Sequence, residues 1–426
     1  MQNLASVFVS QGFEAFIILP QHVHKKINTN NDHDNHNHNN KIIKWVGLED
    51  GIEENTTTPD FFAIESSMEN IMPNNLEEFL QNNQRLDEEV VCLMVVDLLA
   101  SWAIQVANKF DIPTAGFWPA MLSSYLLIAN IPQMLRTGLI SDTGLPQHEG
   151  KITFEPSLPV VSTKDLPWLI GTNAAKKTRF KFWMRTLERS RNLKWVLVNS
   201  FPNEIKVGLQ TSNSYAQNVL PIGPIHKPNQ FTKNISFWEE DLSCLKWLKN
   251  QKVNSVVYVS FGSWVNPIGE SNLKNLALAL EATMRPFIWV LRSTWRQGLP
   301  IGFCERIFKQ GIGMVVSWAP QREILQHNSL GCFITHCGWN STLEALQFQK
   351  KLLCYPVAGD QFVNCAYIVE VWRVGLRLNG FGQKDVVEGL ANVMEDEEMS
   401  TRSSANGRGM RDTDGSRVVL SGGVKL

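Results

Sequence analysis

At 426 residues the chain exceeds what one ordinary hydrophobic core organises, and its length points to two domains. Lys and Arg number 40 against 41 Asp and Glu, and a net charge of -1 gives no field for nucleic acid or an anionic membrane surface. Hydrophobic content of 43% is that of a globular protein, and seven cysteines with no C-x-x-C pair read as a reduced intracellular chain, not a disulfide framework.

The opening stretch MQNLASVFVSQGFEAFIILP has neither the basic n-region nor the small-residue cleavage site of a signal peptide. No apolar run approaches the length of a membrane span, so a soluble cytoplasmic protein is expected. Residues 1–11 read as a helix and 14–19 (EAFIIL) as a strand, the start of a parallel α/β alternation. The Asn/His run over 28–40 has nothing to bury and reads as a disordered loop, whose histidines could take metal adventitiously. VVCLMVV (90–96), closed by Asp97, reads as an apolar strand and LLASWAIQVANKF as the helix after it. TAGFWPA (114–120) and WVLVNSF (195–201) are further strands. The Pro- and Asn-rich text from Val219 to Ser255 reads as an interdomain linker.

A second alternation follows. SVVYVSFGS (255–263), FIWVLR (287–292), GMVVSW (313–318), GCFIT (331–335) and KLLCYP (351–356) read as strands with helices between them. The expected fold class is therefore α/β with two Rossmann-like doubly wound domains: residues 1–220, a linker over 221–254, a second domain over 255–400, and a disordered tail over 401–426. No G-x-G-x-x-G is present, which argues against a dinucleotide oxidoreductase.

In such sheets ligands bind at the carboxyl ends of strands. After GCFIT come His336, Cys337, Gly338, Trp339, Asn340 and Ser341, and then the helix STLEALQF. A helix start offers unpaired N–H groups and the positive end of a dipole, a ready phosphate site. Gly338 lets backbone come close, His336 and Ser341 add donors, and Glu344 is a carboxylate suited to ribose hydroxyls. Each residue alone has a plainer reading. Ser341 with Glu344 also spells a capping box, His336 could be structural, and Trp318 could be a core aromatic.

The combination is specific. The segment from Trp318 to Gln361 resembles the signature box of plant family-1 UDP-glycosyltransferases through Trp318-Ala319-Pro320-Gln321, His336-Cys337-Gly338-Trp339-Asn340-Ser341, Glu344 and Asp360-Gln361. SVVYVSFGSW, LVNSF, IGPI and LPIGF resemble further landmarks of that family. SSMENIMP, VVDLLASWA, DLPWLIGT, SFWEED and CYPVAGDQFVNC resemble the group labelled 82A within it. The resemblance implies a GT-B fold, with an acceptor domain and a donor domain facing across a cleft, and inverting transfer of glucose from UDP-glucose to a small-molecule hydroxyl. It implies that Trp318 stacks on uracil, with Ala319 and Gln321 holding base and ribose and Glu344 the ribose hydroxyls. Ser263, His336, Asn340 and Ser341 would surround the diphosphate; Trp339, Asp360 and Gln361 would read the sugar, with Gln361 resembling glucose-using members.

No cofactor or metal is expected: the D-x-D matches, Asp32-His33-Asp34 and Asp412-Thr413-Asp414, lack a strand-end context. The partners expected are a UDP-sugar and a small acceptor, with a monomeric chain. Phe117, Trp118, Met121 and Tyr125, after a strand end, are acceptor-pocket candidates that could equally be core.

The family's proton acceptor is a His in a G-H-x-x-P turn, oriented by an Asp. Asp97 matches the orienting residue, and as a bare residue could equally be a helix N-cap. No residue matches the His. The text beginning MQNLASVFVSQGF resembles the helix that follows that turn, so a central strand would be missing from the first sheet. Losing the base would cost roughly 10²–10⁴-fold in rate, and a catalytically silent donor binder is the alternative expectation. His22 and His24 read as surface residues. Beyond ANVMEDEEM the text departs from the family, and both ends resemble an incomplete gene model.

Overall fold

Runs of buried β-branched and aromatic residues set the sheets. In the computed structural model, which describes residues 1–29, 43–52, 61–84, 91–153, 159–201, 204, 218–225, 238–263 and 268–411, contacts divide the chain into two units. The first comprises Met1–Ile131, Lys181–Pro202 and Gln210–Phe237; the second Pro132–Phe180, Asn203–Leu209 and Trp238–Leu426. Residues 132–180, read from sequence as part of the first domain, thus group with the second.

In the first unit, β1 (Phe16–Pro20) pairs in parallel with β2 (Lys44–Leu48). A separate parallel sheet is formed by β3 (Met94–Asp97), β4 (Thr114–Trp118), β7 (Trp195–Val198) and β8 (Asn218–Pro221), in the order β3-β4-β7-β8. The helix Gln2–Ser10 lays Leu4 against Phe117 and Ile222.

The second unit holds a short antiparallel ladder of β5 (Lys151–Ile152) with β6 (Val161–Ser162) and a six-stranded parallel sheet. That sheet is built from β9 (Val256–Ser260), β10 (Phe287–Val290), β11 (Gly313–Val316), β12 (Leu330–Thr335), β13 (Lys351–Cys354) and β14 (Gly375–Arg377). Every residue of β9 and β12 is buried, which is why both read as continuous apolar runs without alternation. The order is β11-β10-β9-β12-β13-β14, so the direction of winding reverses between β9 and β12. This reversal makes the carboxyl ends of those two strands a crevice. One face is filled by Val257, Val259, Phe287, Trp289 and Ile334 against Leu273 and Leu276 of the helix Gly269–Thr283 and Val386 and Leu390 of Gln383–Glu395. On the other, Tyr258 and Phe333 pack with ring centroids 4.9 Å apart.

The sequence-based boundaries change in two further places. The expected linker 221–254 contains the end of β8 and the helix Ser243–Leu248. The expected tail is helical over Glu397–Arg411. Its glycines include Gly407, where a Cβ would stand 2.7 Å from the Leu346 carbonyl oxygen; the bare Cα is what lets this helix dock on Trp339–Gln347. Residues 412–426, the Asn/His run beyond Thr29 and both D-x-D matches lie outside the described residues.

Because Phe333 is fully buried at the centre of the sheet, Phe333→Ala is expected to cost about 3–5 kcal/mol in urea unfolding. Ile301→Ala, at a 99% exposed position, should stay within about 0.5 kcal/mol.

Candidate functional site

The crevice between β9 and β12 is lined by Ser260 to Ser263 from one strand and Thr335 to Gly338 from the other. The His336 ring is wedged between two glycines. A Cβ on Gly262 would stand 2.8 Å from its Nε2, and one on Gly338 2.4 Å. Gly262 also has φ 83, so glycine is required there twice over. Burial pushes the His336 imidazole down to about 4, so the ring is neutral near pH 7. Its Nδ1 is buried with no hydrogen-bond partner among the described residues. Cys337 carries φ 65, a left-handed conformation uncommon for a side-chain-bearing residue, held by its N–H donating to Thr335 Oγ1 at 3.1 Å.

This turn ends the strand and starts the helix Trp339–Gln347 within three residues. The N-cap is Gly338, with no side-chain cap. Ser341 lies inside the first turn, so the capping-box reading of Ser341 and Glu344 is excluded. The first-turn N–H groups are left without a side-chain acceptor from the cap, while Trp339 is buried and Asn340 exposed.

Ser341 and Glu344 are instead tied to Gln321, the first residue of the helix Gln321–Gln326. Gln321 Nε2 donates to Ser341 Oγ at 3.1 Å and to Glu344 Oε2 at 2.7 Å, and its Oε1 accepts from Tyr258 Oη at 3.3 Å. Residues far apart in sequence are thereby fixed as one polar group. Trp318 is half-buried, and its carbonyl accepts the Asp241 N–H at 3.0 Å; Ala319 beside it is buried. Its ring lies 6.3 Å from that of Trp238, over which the Arg292 guanidinium sits at 4.3 Å. Arg292 also donates to the Ser263 carbonyl. Arg292 and Trp238 were missed in the sequence; their signals were a cation at the end of FIWVLR and the aromatic in SFWEED.

Asp360 and Gln361 open the helix Gln361–Ala366. Burial raises the Asp360 carboxyl above its ordinary range, opposed by Asn364 Nδ2, which donates to Asp360 Oδ2 at 2.9 Å. Asn364 also donates to the Cys337 carbonyl at 2.9 Å, joining this helix to the turn after β12. Asn364, too, was missed. Gln361 Oε1 accepts the Val357 and Ala358 N–H groups at 2.9 and 3.0 Å, so the oxygen end of the amide is used within its own loop.

In the first unit, Asp97 ends β3 and accepts the Leu99 N–H at 3.0 Å, capping a short 3₁₀ turn over Leu98–Ala100. The capping alternative is therefore present. Burial raises the Asp97 carboxyl, against the opposing pull of that N–H and of the Met1 α-ammonium. Phe117, Trp118, Met121 and Tyr125 are each at most 4% exposed. Trp118 Nε1 donates to the Met121 carbonyl at 3.0 Å, and its ring packs 5.6 Å from Tyr125. All four are buried, as both the core reading and a pocket lining allow. His22 is also corrected from surface residue. Its Nδ1 lies 2.5 Å from Oδ2 of the buried Asp50, which also accepts the His22 backbone N–H.

Comparison with known proteins agrees with this architecture. The family profile described as UDP-glucoronosyl and UDP-glucosyl transferase matches residues 4–404. UDP-glycosyltransferase 82A1 of Arabidopsis thaliana is 50% identical over 422 residues, 94% of this chain and 89% of its own length. UDP-glycosyltransferase 83A1 of the same plant is 34% identical, over 79% of this chain and 71% of its own length. Among solved structures, a UDP-glucose: anthocyanidin 3-O-glucosyltransferase in complex with UDP superposes with TM-score 0.78 at 22% identity, covering 98% of this chain and 94% of that one. Phytolacca americana UGT2, complexed with UDP-2fluoro-glucose and pterostilbene, gives TM-score 0.79 at 24% identity, with coverages of 98% and 94%. The fold is that of the GT-B glycosyltransferases, and the chain belongs to the plant family-1 UDP-glycosyltransferases.

Proposed function

We propose that this enzyme transfers glucose from UDP-glucose to a hydroxyl of a small-molecule acceptor, with inversion at the anomeric carbon. The observation that carries this reading is the crevice between β9 and β12. There, a helix begins on a glycine that supplies no side-chain cap, beside the knot of Gln321, Ser341 and Glu344. Amide hydrogens and the positive end of the helix dipole suit a diphosphate, and the half-buried Trp318 suits a base. In the proposed complex His336, Ser341, Asn340 and Ser263 surround the phosphates. Gln321 and Glu344 meet the ribose, and Trp339, Asp360 and Gln361 meet the sugar. The neutral His336 can donate a hydrogen bond without placing a second charge in the crevice.

Attack of the acceptor oxygen forms its bond to the anomeric carbon as the bond from that carbon to the β-phosphate oxygen breaks, and the acceptor's hydroxyl proton passes to solvent water, since no residue matches the family's His. UDP leaves carrying the electron pair, and the proposed role of the uncapped helix start is to stabilise that anion, with no metal ion assigned. Asp97 stands at the position of the family's orienting carboxylate, and with no residue matching the His it would orient, no proton transfer is assigned to it; the chain is proposed to act as a monomer. The transferase names of the relatives do not favour a silent donor binder.

Calorimetry with UDP tests the donor site. Glu344→Ala is expected to weaken UDP by about 1.5–3 kcal/mol, as loss of a hydrogen bond to a charged group, and Trp318→Ala by about 1–3 kcal/mol, as loss of stacking. Unchanged affinity in both variants would overturn the assignment. Gln361→His should lower the ratio of turnover with UDP-glucose to turnover with UDP-galactose, read in a competition assay. For Asp97, the raised carboxyl means the folded state binds the proton more tightly than the unfolded state, so its charge destabilises the fold above the carboxylate range. Asp97→Asn, which can still accept from Leu99, should therefore raise the urea midpoint at pH 7, with the gain shrinking as pH falls toward 4.

A further inference from the structure

The mechanism uses none of the chain's thiols, yet three of them converge. Cys337 follows β12, Cys354 ends β13 and Cys365 lies in the helix Gln361–Ala366; all three are buried. Their Sγ atoms lie within 4.8 Å of one another, and Cys337 Sγ donates to the Thr335 carbonyl at 3.8 Å. We propose that Cys337, Cys354 and Cys365 form a binding site for a soft, thiophilic monovalent cation, cuprous copper being the ion whose coordination they fit.

The donor set is three sulfurs with no oxygen or nitrogen ligand in the group, which selects soft metals over magnesium, calcium or manganese. Metal–sulfur bonds of about 2.3 Å in a trigonal arrangement put the sulfurs about 4 Å apart. The cluster has to tighten by less than about 1 Å to reach that. Zinc takes four ligands in a closed site, and this group supplies three, so a cation content with trigonal sulfur is the better match. The positive charge of Arg377, which is paired with Asp165 at 3.7 Å, favours the thiolate form of Cys337 and Cys365. Loading forms metal–sulfur bonds and releases the thiol protons to solvent, with no change of oxidation state.

The site is tested by anaerobic titration of the reduced full-length chain with cuprous ion against a chromophoric copper chelator. One ion per chain is expected, with near-ultraviolet thiolate-to-copper absorption and an X-ray absorption shell of sulfur at about 2.3 Å. Cys354→Ser and Cys365→Ser should each weaken binding at least tenfold, whereas Cys332→Ser, equally buried on β12, should leave it unchanged. Circular dichroism identifies any variant that fails to fold, and the absorption shell of the wild-type chain then decides alone. A shell of nitrogen or oxygen, which the histidines of the Asn/His run would give, overturns the proposal. So does binding that keeps its full strength in the folded Cys365→Ser variant.

Discussion

The site depends on one steric constraint: the His336 imidazole fills the space between Gly262 and Gly338, where neither glycine has room for a Cβ. That wedge fixes the distance between the loop leaving β9 and the turn leaving β12, at the point where the winding of the sheet reverses. It also requires the backbone at Cys337 to adopt a left-handed conformation, which turns the chain from strand into helix in three residues. The helix then starts with glycine at its cap and no side-chain cap. Sheet order makes the crevice, and the glycine–histidine wedge determines which groups face it.

Around this turn, each neighbouring element is tied by side chains serving two segments at once. Gln321 binds Ser341 and Glu344, joining the helix after β11 to the helix after β12. Asn364 binds Asp360 and the Cys337 carbonyl, joining the loop after β13 to the same turn. Arg292 covers Trp238 and holds Ser263, joining the ends of β10 and β9. The crevice is thus organised before any ligand arrives, and such preorganisation is what lets fixed dipoles stabilise a departing anion without moving.

Much of this was legible in the sequence, and the exceptions have physical causes. β9 and β12 read correctly because strands buried on both faces are continuous apolar runs. Within the Trp318-to-Gln361 box, Gln321, Ser341 and Glu344 meet, because two successive helix–strand passages bring the starts of the helices Gln321–Gln326 and Trp339–Gln347 together. The capping box was ambiguous because Ser341 and Glu344 have the right spacing; only the start of the helix at Trp339 shows that Ser341 is too far in. The helix through Arg411 was missed because its stability comes from docking, through Gly407, and not from its own propensity. Arg292, Asn364, and the His22–Asp50 pair were missed for a common reason: each acts through a partner remote in sequence. Phe117, Trp118, Met121 and Tyr125 sit at a strand end, where sequence alone does not separate core from pocket lining, and all four are buried.

The central claim is that the turn capped by Gly338 binds the diphosphate specifically, separate from the base and ribose. Calorimetry comparing UDP with uridine, in the wild type and in Gly338→Ala, measures that contribution directly. The account predicts that the wild type binds UDP far more tightly than uridine, and that the added Cβ, 2.4 Å from His336 Nε2, removes most of this difference while leaving uridine affinity nearly unchanged. A folded Gly338→Ala chain that keeps the full preference for UDP would contradict it.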